Sequence, residues 1–391
     1  MANGYKPPAT GGCEVVIPDG HKAKGILDTS EIDLLAPTGL AGDIVNHINA
    51  SGFRDRPMIA VAAALWAISG AMNRTYLTPS GNKVSLNMFC IAASGSGKDN
   101  PYSIGKKLLI DSGLGGALYS EPSSAQEMLK TVTNNQFSLY SMDEAHKIFG
   151  SMSDKNAPTY LKQIEGSILE LSTQRTMLLR AQDAFAFTEK LHKDMAKVHS
   201  SIDDVDGALE VFLKAKLRRL ERKEEYTTKG FRDPFVNIYA TSTPTKMDGV
   251  INEDTLASGL MGRTVLCKEF ADFPAKKFLG YSRAEKPKIP TDVQKRFNRI
   301  VTKGRAQDST YTWHDNGGNT INWDNPEFEG VDGKMSMRNE FGLEFWGEPI
   351  TIGVSDEGRK IAVNIDSYFE ANARTASHVM QPAWARGFEM V

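Results

Sequence analysis

The sequence predicts an α/β protein built as three layers, with a helical insertion and a smaller C-terminal lobe. Three short apolar runs suit buried strands, at 84–91, 137–142 and 235–240. Helical segments separate these runs, an order typical of a sheet covered by helices. A strongly helical stretch at 158–225 lies between the second and third runs, and the chain after residue 276 is polar.

Composition excludes several classes of protein. Of 391 residues, 40% are hydrophobic and 24% are charged, which excludes collagen-like, coiled-coil and wholly disordered chains. Lys and Arg total 46 against 48 Asp and Glu, so any contact with DNA must come from local patches. The three cysteines, Cys13, Cys90 and Cys267, are far apart, which excludes a CxxC metal site and suits a reducing cytosol.

The chain divides into a tail or strap at 1–35, a core at 36–275 and a C-terminal lobe at 276–391. The helical insertion occupies about 158–230 of the core. The longest apolar run, Pro57–Met72, is about 16 residues, short of the roughly 20 that cross a bilayer, and predicts a buried helix. With no targeting signal, a soluble cytoplasmic protein is expected. The last residues continue an amphipathic pattern without a stop signal, so we expect a truncated C-terminus.

A glycine- and serine-rich loop follows the first apolar run. That run is the second strand of a hairpin-like pattern whose turn is 79–82, and a helix is expected from near Pro101. The loop reads A-S-G-S-G-K-D from Ala93 to Asp99. Small residues let backbone N–H groups converge on a phosphate, Lys98 reaches its oxygens, and the next helix adds its positive dipole end.

The loop departs from the usual G-x-x-x-x-G-K-[ST] pattern at two positions. Ala92 stands at the first glycine and Asp99 at the hydroxyl. The order of strand, loop and helix favours a phosphate-binding unit. The alternative is a surface turn with a solvated lysine.

The second apolar run ends in adjacent acids, Asp143 and Glu144, about 45 residues after Lys98. Asp143 would hold Mg²⁺ through water, and Glu144 would polarise an attacking water. The alternative is an acidic helix N-cap. Although the string continues as Ala145-His146, the other motifs of DEAH-box helicases are absent from the sequence.

Two further motifs follow the third run. Thr243, or Ser242, stands at the tip of that strand and could orient the lytic water and sense the γ-phosphate; a simple turn is the alternative. Arg263 follows a glycine-flexed loop and could reach a neighbouring subunit's site to stabilise the transition state. The alternative for Arg263 is a solvated surface charge.

Taken in order, five segments resemble a known family: A-S-G-S-G-K-D-N-P, E-P-S-S-A, Y-S-M-D-E-A, A-T-S-T-P and G-L-M-G-R. They look like the P-loop ATPases of phages and plasmids that are described as primase-helicase or replicative-helicase-like proteins. The Ala-rich helix before the loop is similar too. The likeness covers about 40–275, with a weaker echo at 383–391.

The resemblance implies an AAA+/RecA-like P-loop NTPase core of the superfamily-three helicase type, assembled as a hexameric ring with ATP between subunits. It implies a role in DNA replication in the cytoplasm of a bacteriophage's or mobile element's bacterial host. The implied cofactors are ATP and Mg²⁺, with Asp99 and Asp143 serving the metal and Arg386 acting as a second sensor arginine. The nucleotide-binding residues would be Ser94, Gly95, Ser96, Gly97, Lys98, Asp99, Asn100 and Arg386.

Two departures from that family stand out. Asp99 replaces the Mg²⁺-binding hydroxyl, although a carboxylate is itself a hard oxygen ligand for Mg²⁺. Thr243 stands where superfamily-three helicases usually carry Asn.

Contact with single-stranded DNA has two candidate regions. The run 211–223 carries six basic residues and one acid, and could neutralise phosphates or be merely solvated. Trp313, His314 and Trp323 could stack on bases or pack a small hairpin.

The expected function is Mg²⁺-dependent ATP hydrolysis that drives a replicative DNA helicase ring, with Lys98, Glu144, Arg263 and Thr243 as the catalytic residues. Replication proteins are its expected partners. Two alternatives remain at this point. One is an ATP-switched loader or adaptor with slow hydrolysis. The other is a structural or interaction protein with a degenerate loop, which Ala92 and Asp99 suggest.

Overall fold

The computed structural model describes residues 33–152, 158–205, 207–247, 250, 259–269, 274–277, 287–306 and 349–373. Within these ranges the protein is a mixed α/β structure. The strands are β1 Tyr76–Leu77, β2 Asn87–Ile91, β3 Leu118–Tyr119, β4 Phe137–Met142, β5 Thr176–Met177, β6 Phe231–Arg232, β7 Phe235–Ser242, β8 Thr264–Lys268 and β9 Ile350–Thr351. The α-helices are α1 Gly39–Ser51, α2 Pro57–Met72, α3 Asp99–Leu109, α4 Ala125–Asn135, α5 His146–Met152, α6 Thr159–Thr173, α7 Ala181–Ile202, α8 Gly207–Lys229, α9 Pro244–Met247, α10 Thr291–Ala306 and α11 Asp356–Ala373.

The central sheet has five parallel strands in the order β3-β4-β7-β2-β8. Parallel neighbours need long crossovers, and the helices between the strands supply them. The carboxyl ends of all five strands therefore meet at one edge of the sheet. The chain leaves β2 for β3 at the far edge, while β8 lies on the other side of β2. Because β3 and β8 lie on opposite sides of β2, the strand order reverses there, and the sheet has a topological switch point beside β2.

Alternating side chains of the strands divide the interior into two cores, because successive residues of a strand point to opposite faces. Helices α1, α2, α3 and α10 cover one face, and α4, α5 and α6 cover the other. The first face buries Met88, Cys90, Phe137, Leu139, Phe235 and Tyr239. The second face buries Phe89, Ile91, Tyr140, Met142, Val236 and Ile238. The protein is thus built as the three layers that the sequence predicts.

The expected hairpin before the loop forms only next to its turn, where Leu77 makes one antiparallel bridge with Lys83. The turn at 79–82 forms, with the Gly81 N–H donating to the Thr78 carbonyl at 2.8 Å. However, β2 begins only at Asn87, and β1 pairs with β9 rather than with β2. The reason is that β2 has β7 on one side and β8 on the other, which leaves it no free edge for β1.

Within the described residues, the predicted helical insertion contains helices α6, α7 and α8. Helix α6 packs on the second face of the sheet. Helices α7 and α8 lie in the chain between β5 and β6, which pair with each other in antiparallel orientation. The two helices pack along each other. We call α7 and α8 the helical arm.

The polar C-terminal segment is described only in part. Helix α10 packs against α1 and α2, and its Val293 and Phe297 are buried in the first core. The tail at 1–32 and the polar stretch with Trp313, His314 and Trp323 lie outside the described residues. Within the described ranges, no helix combines the length and apolar character that a membrane crossing requires.

Candidate active site

The glycine-rich loop joins β2 to α3 at the carboxyl edge of the sheet. Gly95 and Gly97 have φ of 68° and 97°, a left-handed conformation that glycine adopts without steric cost. At Gly97 an added Cβ would also lie 3.4 Å from the Cβ of Arg54. Helix α3 begins at Asp99, two residues before the expected Pro101, so the loop ends directly at a helix N-terminus.

The backbone conformation at Ala92 does not require the glycine that the usual pattern has at this position. The φ of Ala92 is not positive, and its N–H donates to the Ser242 carbonyl at 3.1 Å, which prolongs the pairing of β2 with β7. A residue in extended pairing carries a Cβ without strain. The departure from the usual pattern at position 92 is therefore compatible with the loop's conformation.

Three side chains converge at the loop: Lys98 from the loop itself, Asp143 from the end of β4 and Thr241 from the end of β7. The Lys98 Nζ donates to the Asp143 Oδ1 at 3.1 Å and to the Thr241 Oγ1 at 3.3 Å. The Thr241 hydroxyl in turn donates to the same Asp143 oxygen at 2.6 Å. The Lys98 side chain is only 12% exposed, whereas that of Asp143 is 59% exposed. The cluster thus presents an open carboxylate beside a largely covered ammonium group.

Asp143 is held in its ionised form. Burial alone would raise its pKa, but hydrogen bonds from Thr241 and Lys98, together with the charge of Lys98, hold the pKa below its ordinary value. The Glu144 N–H also donates to Asp143 at 3.0 Å. A carboxylate that accepts several hydrogen bonds stays charged at neutral pH.

Glu144 has a left-handed backbone, with φ of 56°. Such a conformation is uncommon for a residue with a side chain, and it tends to persist where the surroundings enforce it. Next to it, the Ala145 N–H donates to the Thr241 carbonyl at 2.9 Å, which ties this turn to β7. The exposed Glu144 carboxylate pairs with Lys147, and the hydrogen bond from Lys147 lowers the pKa of Glu144. Glu144 is therefore an ionised carboxylate at the edge of the cluster.

The residues expected to sense the γ-phosphate lie just beyond Thr241. The Ser242 hydroxyl is 3.1 Å from the Nδ1 of His146. Burial and nearby lysines, first among them Lys246, lower the pKa of His146. Thr243 precedes α9, and its carbonyl accepts the N–H of Lys246 at 3.1 Å.

The remaining predicted nucleotide-binding residues occupy different surroundings. Ser94 and Asp99 are exposed, Asp99 in the first turn of α3. Ser96 is fully buried, and its hydroxyl has no hydrogen-bond partner among the described residues. The Asn100 amide donates to the Ile48 carbonyl at 2.9 Å, so it fastens α3 to α1.

Arg263 is not brought to the cluster of its own chain. It directly precedes β8, in the short 3₁₀ turn Met261–Arg263, and its guanidinium donates to the Gly259 carbonyl at 3.0 Å. Thr264 pairs in register with Asn87 at the start of β2, whereas Lys98 follows the end of β2. The five residues of β8 separate the two ends by about 16 Å. Arg386 lies outside the described residues.

Two residues of the candidate site, Thr241 and Arg56, are not identified by the sequence analysis. Thr241 lies in the same A-T-S-T-P segment as Ser242 and Thr243, and only the pairing of β7 with β4 distinguishes it from them. Arg56, just before α2, is 1% exposed and donates from its Nε to the Ser96 carbonyl at 2.7 Å. The only feature of the sequence that could have pointed to Arg56 is its position, as a charged residue directly before a strongly apolar helix.

The cluster fits Mg²⁺ held jointly with a phosphate. Mg²⁺ keeps several waters and is commonly bound through one or two carboxylates plus substrate phosphates. Asp143 is ionised and exposed enough to serve in that way, and Asp99 adds an exposed carboxylate at the helix N-terminus. Within the described part of the chain, no group of three or more His, Cys, Asp or Glu side chains could hold a metal by itself.

Replacing Thr241 by Val removes the hydroxyl that aligns Asp143 with Lys98, and should lower kcat/KM of the activity proposed below about tenfold. That hydroxyl also lowers the pKa of Asp143. Its removal should therefore raise that pKa and move the acid limb of the pH–rate profile to higher pH. A steady-state pH series measures both effects.

The matched control is Thr133→Val, another buried threonine, whose hydroxyl donates to the Leu129 carbonyl within α4. It should leave both the rate and the acid limb unchanged. Equal behaviour of the two variants would contradict the role of Thr241.

The described residues thus combine a glycine loop, a lysine and two carboxylates at the switch point of a parallel sheet. Comparison with protein-family models, with curated proteins and with solved structures gives no match.

Proposed function

We propose that the protein is a Mg²⁺-dependent ATPase, and that it serves as the motor of a ring-shaped replicative DNA helicase of a phage or mobile element. The observation that carries the proposal is the convergence of Lys98, Asp143 and Thr241 beside a glycine loop at the carboxyl edge of the sheet. In open parallel sheets, ligands bind outside the carboxyl ends of the strands at the switch point. The loop after β2 occupies that position.

Phosphate recognition rests on Lys98 and the loop amides. Backbone N–H groups of a glycine loop that ends at a helix N-terminus favour an anion. Lys98 is paired with Asp143 within the chain. When phosphate oxygens arrive, Lys98 exchanges this partner for them, and Asp143 becomes available to the metal. Bound Mg²⁺ would neutralise phosphate charge, with Asp143 and Asp99 as its protein carboxylates.

Activation of water falls to Glu144. Its ionised carboxylate adjoins Asp143, and its only described ionic partner, Lys147, is on the exposed surface. A carboxylate in reach of a water can accept its proton as the water attacks. Thr243 or Ser242, at the end of the neighbouring strand, would orient that water.

The position of Arg263 supports the proposed ring assembly. An arginine at the amino end of β8 is about 16 Å of strand away from its own chain's loop. It can complete a site only by reaching across to a neighbouring subunit. ATP would then lie between subunits, as in the hexameric rings of the family that the motifs resemble, with Arg386 as a second sensor.

Coupling to single-stranded DNA is supported by the helical arm. Its helix α8 carries the net positive run 211–223, within which Arg218 is exposed and Lys214 pairs with Glu210. Such a cluster can neutralise phosphates by releasing counterions. Contact through the arm would depend strongly on salt concentration.

The first test is steady-state ATPase activity of the full chain, with and without single-stranded DNA. Wild type should hydrolyse ATP and be stimulated by DNA, whereas Lys98→Ala should lose roughly a hundredfold or more of the rate, since a charged phosphate contact is removed. Lys107→Ala removes an exposed lysine of α3, the helix that directly follows Lys98; Lys107 pairs with Asp111, and its loss should leave the rate unchanged.

The outcomes separate the candidate functions. Hydrolysis that DNA does not stimulate would contradict the motor and favour a loader or adaptor. Absence of hydrolysis and of nucleotide binding in wild type would contradict the ATPase itself. Ala92 and Asp99 would then mark a degenerate loop in a structural or interaction protein.

A further inference from the structure

A buried arginine supports the glycine loop from the side of α2. Arg56 lies in the turn between α1 and α2, and its side chain is withdrawn from solvent. Its Nε donates to the Ser96 carbonyl at 2.7 Å, within the normal range for a charged donor. Its own N–H donates to the Asn49 side chain at 3.3 Å. The backbone of Arg56 is thus anchored to α1, and its guanidinium is directed at the loop.

A buried acid, Glu269, lies close enough to Arg56 for their charges to interact. It follows β8 and is 7% exposed, and its N–H donates to the Ile91 carbonyl at 3.1 Å, directly before the loop. Its Oε1 accepts the Ile59 N–H at 3.0 Å, in the first turn of α2. Burial raises the pKa of Glu269, while the Ile59 amide and the charge of Arg56 favour its ionised form. The hydrogen bond from Ile59 and the positive charge of Arg56 thus offset part of the cost of burying the Glu269 carboxylate.

The bond from Arg56 constrains one peptide of the loop. A trans peptide is planar, so the C=O of Ser96 and the N–H of Gly97 point in opposite directions. With the Ser96 carbonyl held by Arg56, the Gly97 N–H is directed to the other side of the loop. A charged donor on the carbonyl also polarises the peptide, which strengthens that N–H as a donor. Gly97, with φ of 97°, would otherwise rotate easily.

We propose that Arg56 is a positioning residue that sets nucleotide affinity, by fixing the Ser96–Gly97 peptide so that its N–H faces the bound phosphate, with Glu269 as its counter-ion. The inference rests on the proposed nucleotide site and adds to it a determinant that no loop residue supplies. Because the loop holds phosphate equally before and during reaction, losing Arg56 should raise KM for ATP while kcat of the folded enzyme changes little.

The experiment compares Arg56→Met with Arg74→Met in the full chain. Met keeps the length and apolar stem of Arg and adapts to irregular cores. Arg74 is a matched control, since it is also buried and donates to a carbonyl, that of Arg232, at 2.9 Å. It lies just beyond the C-terminus of α2, whereas Arg56 directly precedes the N-terminus of this 16-residue helix.

Both variants should lower the melting temperature. Only Arg56→Met should weaken the binding of MgADP, by at least tenfold in calorimetric titration, and raise KM for ATP to match. Arg74→Met should bind MgADP within twofold of wild type. A variant that merely lost folded protein would show a lower active fraction with unchanged affinity. Equal affinities of the two variants would overturn the proposal.

Arg56→Lys tests the same idea without removing the buried charge. It keeps the positive charge but lacks the Nε–H that contacts Ser96, so it should weaken MgADP binding less than Met does and more than twofold. Wild-type affinity in Arg56→Lys would refute the role of that hydrogen bond, even if Arg56→Met failed to fold. Failure of wild type to bind MgADP would instead contradict the proposed function, and the role of Arg56 with it.

Discussion

Glu144→Gln should retain nucleotide binding while ATP hydrolysis falls roughly a hundredfold or more, by loss of the group that accepts a proton from water. The replacement is isosteric, and it leaves Lys98, Asp143 and Thr241 untouched. Binding of MgADP should therefore stay within about twofold of wild type, since binding and chemistry depend on different side chains. Calorimetric titration and single-turnover hydrolysis measure the two quantities separately.

The exposed ion pair that Glu144 makes with Lys147 has a counterpart on the helical arm. Glu225 pairs with Lys229 at 2.7 Å and is similarly exposed. Glu225→Gln removes the same charge far from the cluster and should leave turnover unchanged. If Glu144→Gln also turns over normally, the acidic strand end is misassigned and another group activates the water.

Arg263→Ala should reduce turnover on the order of a thousandfold or more, the loss expected when an arginine that stabilises a phosphoryl-transfer transition state is removed. Binding of MgADP to the isolated chain should be retained, because Arg263 lies at the amino end of β8, away from its own loop. The activity should therefore depend on the neighbouring subunit's arginine rather than on the chain's own.

Mixing experiments test that dependence. Arg263→Ala and Lys98→Ala subunits, each inactive alone, should recover part of the activity when mixed. One kind of interface then joins a wild-type loop to a wild-type Arg263. A mixture of Lys98→Ala with Glu144→Gln should recover nothing, because both defects lie in the same half of the interface. Activity restored in neither mixture would argue against a role in trans.

Some elements of the fold follow directly from the sequence. The strand Phe137–Met142 and the helix Pro57–Met72 have the bounds that the apolar runs predict. Both elements are buried on most sides, and a fully buried element reads as an unbroken apolar run. The loop is recognisable for a related reason, because Gly95 and Gly97 have the left-handed φ that favours glycine. These features depend only on residues close together in the chain.

The candidate site could be predicted from local sequence patterns only in part. The acids at 143–144 and the lysine at 98 are apparent as residue types, since each directly follows an apolar run or a glycine loop. Which hydroxyl meets them is not apparent. Thr241, Ser242 and Thr243 are successive polar residues, and the sequence analysis favoured Thr243.

The register between strands β4 and β7 determines which hydroxyl contacts Asp143. Met142 pairs with Ala240, so the residues that follow, Asp143 and Thr241, are brought side by side. The two strands are nearly a hundred residues apart in the chain, and shifting their register by one would change every contact at that edge. The support of the loop by Arg56 likewise depends on α2 packing against the sheet. The sequence by itself determined which short segments form the glycine loop and the buried strands, because backbone conformation and burial are encoded locally, whereas packing between distant segments determined which side chains lie together.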